Sequence, residues 1–486
     1  MAGEPPIAAR EIEGKYDIAP DFVMPSLAGP DQRVDVDTVQ LSSTYYDTDD
    51  HDLLRYRLTL RRRTGDVDTG WQLKVPGAGE RTELRWPAAE TPPEALTTLL
   101  RPFVRNKPVA AAVRLDVTRT RHRICDSAGA LIAEVARDDV RATGLAAQPR
   151  ARRWHEAEVE LGPAGSRSLL AQIGAELTAA GAVASSSRSK VARALEGIGN
   201  EGVGTPRTSA GAVLVDYIAQ QCDALVAGHF AIQRDVDDSV HRTRVACRRL
   251  RSTLRTFEYC FDADQATAFE DELRWYAAVL GAVRNTEVLR ARLLAEIADL
   301  PSDLVLGPVA QHVDGRLTHE LAEHRATLLE AIAGDRYAQL LAEATRWRDH
   351  PPFTAAAGRP AGTLLEAIDR AQRRLGKRLR RAARASGTDE QMHGARKEGK
   401  RLRYAAEAVA AGGDSRAADL ARRTAELQEL LGEFQDSIAA NELLRRLATD
   451  RAGQGADSFT YGVLVGVERQ RAEQIRRDVR RRVGAG

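Results

Sequence analysis

The hydrophobic period of the chain changes once, near residue 200, and that change limits the fold more than any single motif does. Up to about residue 195 the residues alternate in period two, as in REIEGKYDI, LTLRRR, GWQLKVP, RTELRW, VTRTRHRI, ALIAEVA and HEAEVEL. Successive side chains on a strand point to opposite faces, so this half predicts a sheet. Two helical stretches, PPEALTTLLRPFV and RSLLAQIGAELTAAG, interrupt it. From about residue 211 long segments follow the helical period with few turn signals, which predicts an all-α half. NEGVGTPRTSAG, between the two, is small, polar and bears Pro and Gly, as linkers do. The expected class is therefore α+β, with a strand domain at 8–197, a linker at 198–210 and a helical domain at 211–486.

The helical half contains a duplication. DHPPFTAAAGRPAG splits it into repeats at about 211–350 and 361–486. In the first, His241 is followed by Arg244, Arg248, Arg249 and Arg251, and later by Leu280-Gly281 and Arg284-Asn285. In the second, His393 is followed by Arg396, Lys400, Arg401 and Arg403, and later by Leu431-Gly432 and Gln435-Asp436. The basic residues stand three, seven, eight and ten places after each histidine, and the Leu-Gly pair 39 or 38 places after it. Equal spacing over two stretches of this length indicates a repeated helical unit.

At 100° per residue, His241, Arg244, Arg248, Arg251 and Arg255 share one helical face, with Cys247, Leu250, Leu254 and Phe257 roughly opposite. His393, Arg396, Lys400 and Arg403 form the matching stripe. A solvated basic face would give either pattern alone. Val240 to Phe257, however, carries six arginines and no acid, and between His393 and Arg403 of the second copy the only acid is Glu398. Like charges at helical spacing repel, so two such stripes brought together would favour a long polyanion. With a net charge of only +2, attraction to an anion must come from such local patches. Nucleic acid is disfavoured, because aromatics make up 5% of the chain and only Tyr404 lies at a stripe edge. Inorganic polyphosphate offers charge without bases.

VHRTRVACRRLRSTLRTF and MHGARKEGKRLRYAAEAV resemble the signature helices of the CHAD domain, the conserved-histidine α-helical domain, with LGAVRN and LGEFQD at its later Leu-Gly turns. The resemblance implies a helical bundle of two pseudo-repeats that binds polyphosphate through His241, Arg244, Arg248, Arg249, Arg251, Arg255, His393, Arg396, Lys400, Arg401 and Arg403.

The strand half groups its charges by face. Glu11, Glu13 and Lys15 share one, as do Arg61 and Arg63; Arg81, Glu83 and Arg85; Arg119, Arg121 and Arg123; and Glu156, Glu158 and Glu160. A sheet with one wet face would give each strand alone. Together they predict, if the sheet closes, a polar tunnel with walls of opposite sign. Its bases suit phosphates, and its clustered carboxylates suit Mg²⁺ or Mn²⁺.

EIEGK, YYDTDDHDLLRYRLTLRRR, WQLKVP, RTELRW, AEVARDD, WHEAEVEL and SRSKVARAL occur in the order that resembles the CYTH domains, the triphosphate tunnel metalloenzymes. That resemblance implies an eight-stranded antiparallel tunnel acting on triphosphates with a divalent metal. It implies catalytic roles for Glu11, Glu13 and Lys15, and metal ligation by Glu11, Glu13, Glu156, Glu158 and Glu160. Lys15, Arg61, Arg63, Lys74, Arg81, Arg119, Arg121 and Lys190 become triphosphate ligands. Which of Arg119, Arg121 and Arg123 reaches substrate stays open, as does which of Glu134, Asp138 and Asp139 is a further tunnel carboxylate.

The expected function is metal-dependent hydrolysis of inorganic triphosphate coupled to polyphosphate binding. The alternatives are a non-catalytic polyphosphate-binding protein and a tunnel enzyme for an organic triphosphate, an adenylate cyclase or a thiamine triphosphatase. Trp71 and Trp86 are the residues that could give thiamine a platform at the tunnel mouth, or pack in the core. No run approaches the ~20 apolar residues that span a bilayer, and MAGEPPIAAREIEGK has no apolar signal segment. Cys125, Cys222, Cys247 and Cys260 form no C-x-x-C pair. A cytoplasmic protein, associated with polyphosphate granules, is expected.

Overall fold

The computed structural model describes residues 6–27, 29, 32–65, 69–77, 81–145, 151–187, 189–195, 208–384, 386–453 and 458–484. Most of the expected linker at 198–210 lies outside them. The chain divides into two compact units, residues 1–202 with 229–234 and residues 203–228 with 235–486.

The first unit is built on one antiparallel sheet. Its strands are β1 (Ile7–Glu11), β2 (Glu13–Asp17), β3 (Arg33–Asp47), β4 (Thr59–Thr64), β5 (Gly70–Pro76), β6 (Arg81–Trp86), β7 (Ala110–Cys125), β8 (Leu131–Gly144), β9 (Ala151–Leu161) and β10 (Val183–Ala184). They are ordered β1-β6-β5-β4-β3-β7-β8-β9-β2-β10. Ten strands replace the expected eight for two reasons. EIEGK is interrupted at Ile12, whose carbonyl accepts from the Leu161 amide at 3.0 Å, and β10 is a two-residue addition. The interruption is what closes the tunnel. Residues before it pair with β6 and residues after it with β9, so a single run of chain joins the two ends of the sheet.

Four helices, α1 (Asp52–Arg55), α2 (Glu94–Val104), α3 (Arg167–Ala179) and α4 (Lys190–Leu195), accompany the sheet. Ile173 and Leu177 of α3 cover the outward residues Val135, Ala157 and Val159. The inward faces of β3, β7, β8 and β9 are not polar along their whole length, as the strand pattern had suggested. Leu41, Tyr45, Val113, Leu115, Val117, Val140, Ala142 and Trp154 meet Val191 of α4 in an apolar cluster. Helix α4 thus stoppers one end of the tunnel with hydrocarbon and leaves the charged residues to the other end.

The second unit is helical: α5 (Ala210–Gln233), whose last residues, 229–233, group with the first unit, α6 (Ser239–Thr256), α7 (Ala263–Asp299), α8 (Val309–Ala333), α9 (Asp335–Asp349), α10 (Thr363–Ala382), α11 (Asp389–Ala410), α12 (Ser415–Gly453) and α13 (Phe459–Gly484). The two histidine-bearing segments fall on α6 and α11, and each precedes the longest helix of its repeat, α7 and α12. Helix α6 packs on α7 and on α11, and α11 packs on α10 and α12. No helix of the described residues is long and apolar enough to cross a membrane. All four cysteines are buried free thiols.

Candidate functional sites: an ionic tunnel and a basic helix pair

The charged end of the tunnel surrounds a cavity of about 680 Å³, whose wall includes Glu11, Glu13, Lys15, Arg61, Arg63, Lys74, Arg81, Glu83, Arg119, Arg121, Arg123, Glu134, Glu158, Glu160 and Lys190. Of the candidate tunnel residues named from the sequence, Glu156, Asp138 and Asp139 are not in this wall, and Glu156 is buried behind it. Its Oε2 accepts the Trp154 indole hydrogen at 2.6 Å. Strand pairing sets the partners. Arg119 faces Asp138 across β7 and β8, and Lys15 faces Glu158 across β2 and β9.

Lys15, Arg61, Lys74, Arg81, Arg119, Arg121 and Lys190 each have an anionic partner. Lys15 Nζ is 2.7 Å from Glu158 and 3.4 Å from Glu13. Lys74 is 2.7 Å from Glu11, and Arg81 3.1 Å from Glu13. Arg61 reaches Glu83 at 3.2 Å. Arg119 forks onto both oxygens of Asp138 at 2.8 and 2.7 Å and reaches Glu158 at 2.6 Å. Arg121 binds Asp37 at 2.9 and 2.5 Å. Arg119, Arg121 and Arg123 of β7 all line the cavity, Arg119 the most firmly held.

These partners set the titration of the wall. Burial alone would raise Glu158, but Lys15, Lys190 and Arg119 together hold it well below the usual carboxylate range. Against the same opposition, Lys74, Arg61 and Arg85 bring Glu83 down to about 2. Glu160 behaves oppositely: burial, and then the negative charge of Glu11, push it up to about 7. It is the wall carboxylate whose charge is least compensated among those with a resolved shift.

Two acids that the sequence did not place belong to this network. Asp138 is fully buried, while the adjacent Asp139 points outward to Arg153 at 2.6 Å. Glu83 was visible on the Arg81 face but carried no assigned role. Asp138, Glu156 and Glu158 bring carboxylate oxygens within 4.8 Å of one another and could hold a metal ion. An all-carboxylate set is the donor chemistry of hard divalent cations, so the residues fit such an ion. Lys190 Nζ lies against the same three carboxylates, at 3.0, 2.5 and 2.7 Å.

Trp71 and Trp86 are core residues, 0% and 4% exposed, and neither lines the cavity.

On the helical unit the basic stripes meet where α6 packs on α11, but their charges are not all uncompensated. The segment without acids in sequence acquires them in space. Arg249 is 2.9 Å and Arg403 2.8 Å from Glu407. Arg251 and Arg255 are 3.4 and 2.6 Å from Glu270 of α7. Arg401 donates to the Arg255 carbonyl and, at 3.3 Å, to the Thr256 hydroxyl.

Arg244, Arg248, Arg396 and Lys400 remain. None has an ion pair among the described residues, and the Arg396 Nε is buried without a hydrogen-bond partner. Burial, then Arg248, Arg396 and Arg244, pull Lys400 down to about 6. Arg244 is brought down to about 10 by burial and by Arg248, Arg396 and Arg284. Such depression marks a site short of negative charge. Arg244 donates to Asn285 at 2.9 Å and lies so close over Gly281 that a Cβ there would meet its guanidinium at 3.2 Å. The glycine of the first Leu-Gly pair therefore makes room for this arginine. His393 is tied through Nδ1 to Gln435 at 2.7 Å, and His241 is pushed below its ordinary value by burial.

The CYTH domain model matches residues 9–195 and the CHAD domain model residues 216–445. The chain is 34% identical over 503 aligned positions to the uncharacterized protein MT2285 of Mycobacterium tuberculosis (strain CDC 1551 / Oshkosh), covering 98% of this chain and 96% of that protein. Among solved structures it is similar to PptA from Streptomyces chartreusis, with TM-score 0.49 and 22% identity over 57% of this chain and all of that one. It is also similar to the CHAD domain from the plant Ricinus communis, with TM-score 0.43 and 21% identity over 57% of this chain and 91% of that one.

Proposed function

The chain belongs to the family in which a CYTH domain is followed by a CHAD domain, and from that premise we propose that its tunnel hydrolyses inorganic triphosphate to diphosphate and phosphate while its helical unit binds inorganic polyphosphate. One observation carries the choice of an inorganic substrate. The cavity wall is crowded with guanidinium, ammonium and carboxylate groups, and its only aromatic ring is Tyr45, so nothing in the described wall stacks a base or a thiamine ring.

The chemistry follows from an exchange of partners. Lys74, Arg81, Arg119 and Lys190 now neutralise carboxylates, and Arg61 neutralises Glu83. Arriving phosphate oxygens would take over these cations, with Lys15, Arg63 and Arg121, and screen the charge that keeps a nucleophilic water away. The carboxylates of Glu11, Glu13, Glu156, Glu158 and Glu160 would then be released to a divalent cation, Mg²⁺ or Mn²⁺, which supplies charge neutralisation and a more acidic bound water. In this reading Glu11 and Glu13 would accept the water proton, and Lys15, which lies between Glu13 and Glu158, would orient the water.

In the helical unit, Arg244, Arg248, Arg396 and Lys400 form the centre of the polyphosphate site. His241, Arg249, Arg251, Arg255, His393, Arg401 and Arg403 flank it.

Phosphorus NMR of inorganic triphosphate incubated with the protein tests the activity. Equimolar diphosphate and phosphate, formed with Mg²⁺ or Mn²⁺ and abolished by a chelator, are expected. An intact triphosphate signal under both metals would overturn the proposal, as would faster consumption of ATP.

A further inference from the structure

The most basic segment of the chain is neither signature stripe. From Arg370 to Arg384, through α10, eight of fifteen residues are Arg or Lys and none is Asp or Glu. The duplication makes this informative, because α5 precedes the first stripe as α10 precedes the second, and α5 has no Arg or Lys at all. The scaffold therefore does not require charge at this position. It is present in one repeat only.

Helix α10 buries Leu364, Ala367, Ile368, Ala371 and Leu375 and turns Arg373, Lys377, Arg380 and Arg381 to solvent. Those four have no ion pair among the described residues. On the side facing α11, Arg374 lies close enough to Arg401 that, after burial, its charge is the largest influence lowering that guanidinium, and Arg255 of α6 adds to it. Among the described residues Arg374 has one ion-pair partner, Glu398 at 3.8 Å. A trail of like charge thus leads from the exposed face of α10 through Arg374, Arg401 and Arg255 to the stripes.

On the basis that polyphosphate is the ligand of the central cluster, we propose that the outer face of α10 is a second polyphosphate-binding surface, which holds the part of a long chain that extends beyond Arg244, Arg248, Arg396 and Lys400. A short chain engages the centre alone, and a long chain engages both surfaces. This makes binding length-selective through multivalency. Helix α10 carries no aromatic residue on which bases could stack, which favours polyphosphate over single-stranded nucleic acid.

The test is the affinity of the full chain for short- and long-chain polyphosphate, measured across a salt series. The quadruple variant Arg373→Gln, Lys377→Gln, Arg380→Gln, Arg381→Gln is compared with Lys400→Met. Glutamine keeps helix propensity, so the face loses charge without losing its helix. The quadruple variant is expected to bind long chains about tenfold more weakly, with a salt slope lower by about three, and short chains as wild type does. Lys400→Met is expected to weaken both. An unchanged long-chain affinity in the quadruple variant overturns the second surface while leaving the centre intact. Equal loss for both lengths overturns it too, by showing a general field effect. Tighter binding of single-stranded RNA, lost in the same variant, would overturn it in favour of nucleic acid. Failure of the wild type to bind either length would instead remove the central cluster as a polyphosphate site.

Discussion

The Lys15 ammonium on β2 lies 2.7 Å from Glu158 Oε1 on β9, and the two residues are register partners across the seam where the sheet closes. The same carboxylate serves Lys190 at 2.7 Å and Arg119 at 2.6 Å. One glutamate therefore joins β2, the stoppering helix α4 and the arginine strand β7, and any ligand that claims these cations must reorganise the whole wall.

Lys190 tests that organisation. It is the shared counter-ion of Asp138, Glu156 and Glu158, and its side chain is 10% exposed. Removing one partner of a buried ionic cluster leaves uncompensated charge and costs on the order of 3 kcal/mol. Lys190→Met is therefore expected to lower the melting temperature of the apoprotein. Mn²⁺ should restore more of the loss in the variant than it adds to wild type, because the three carboxylates are then open to a divalent ion. Equal Mn²⁺ shifts in both proteins would contradict this.

Lys400 gives the helical site a pH dependence. Its folded pKa, about 6, is below its ordinary value because of burial and of Arg248, Arg396 and Arg244, with Asp436 opposing. The folded state binds fewer protons than the unfolded one between those two values. The group therefore penalises folding fully below pH 6, and stability recovers as pH rises through the window. A bound polyanion supplies the missing counter-charge and raises the pKa. At pH 8, polyphosphate binding should take up as much as about one proton, and affinity should fall as pH rises from 6. Calorimetry in two buffers of different ionisation enthalpy measures the uptake. Lys400→Met should abolish it, and a wild-type binding enthalpy independent of buffer would contradict the assignment.

Glu407 restrains the site from within. It pairs with both Arg249 and Arg403, and each guanidinium also lies within 6 Å of the Tyr404 ring. Glu407→Gln should free two arginines and strengthen polyphosphate binding a few-fold at fixed salt. Since the pairs are partly exposed, the stability loss should be only about 1 kcal/mol. Weaker binding by this variant would show that the pairs position the arginines for the ligand and do not compete with it.

The tunnel wall was legible because a strand has a period of two. Once EIEGK, LTLRRR, VTRTRHRI and HEAEVEL are strands, their charges must share faces. Register was not legible. Two adjacent acids in ARDD necessarily face opposite ways, and only the pairing of β7 with β8 puts Asp138 inside against Arg119. The apolar stopper was missed because it needs α4 folded back across β3, β7, β8 and β9. On α6 the helical stripe was correct as geometry, but its electrostatics depended on Glu270 and Glu407, which local composition cannot associate with Arg251, Arg255 and Arg249. The eight-strand expectation failed at Ile12, where the opening run changes partners to close the sheet.

The measurement that bears most directly on the account is the rate of phosphate release from inorganic triphosphate with Mg²⁺ or Mn²⁺, wild type beside Glu158→Gln. Circular dichroism would establish that both are folded. Loss of the charge that Lys15, Arg119 and Lys190 share should lower kcat/KM by about 100-fold or more. Metal-dependent release by wild type that collapses in the variant is the predicted result. No release by wild type with either metal, or equal release by a folded Glu158→Gln protein, would contradict it.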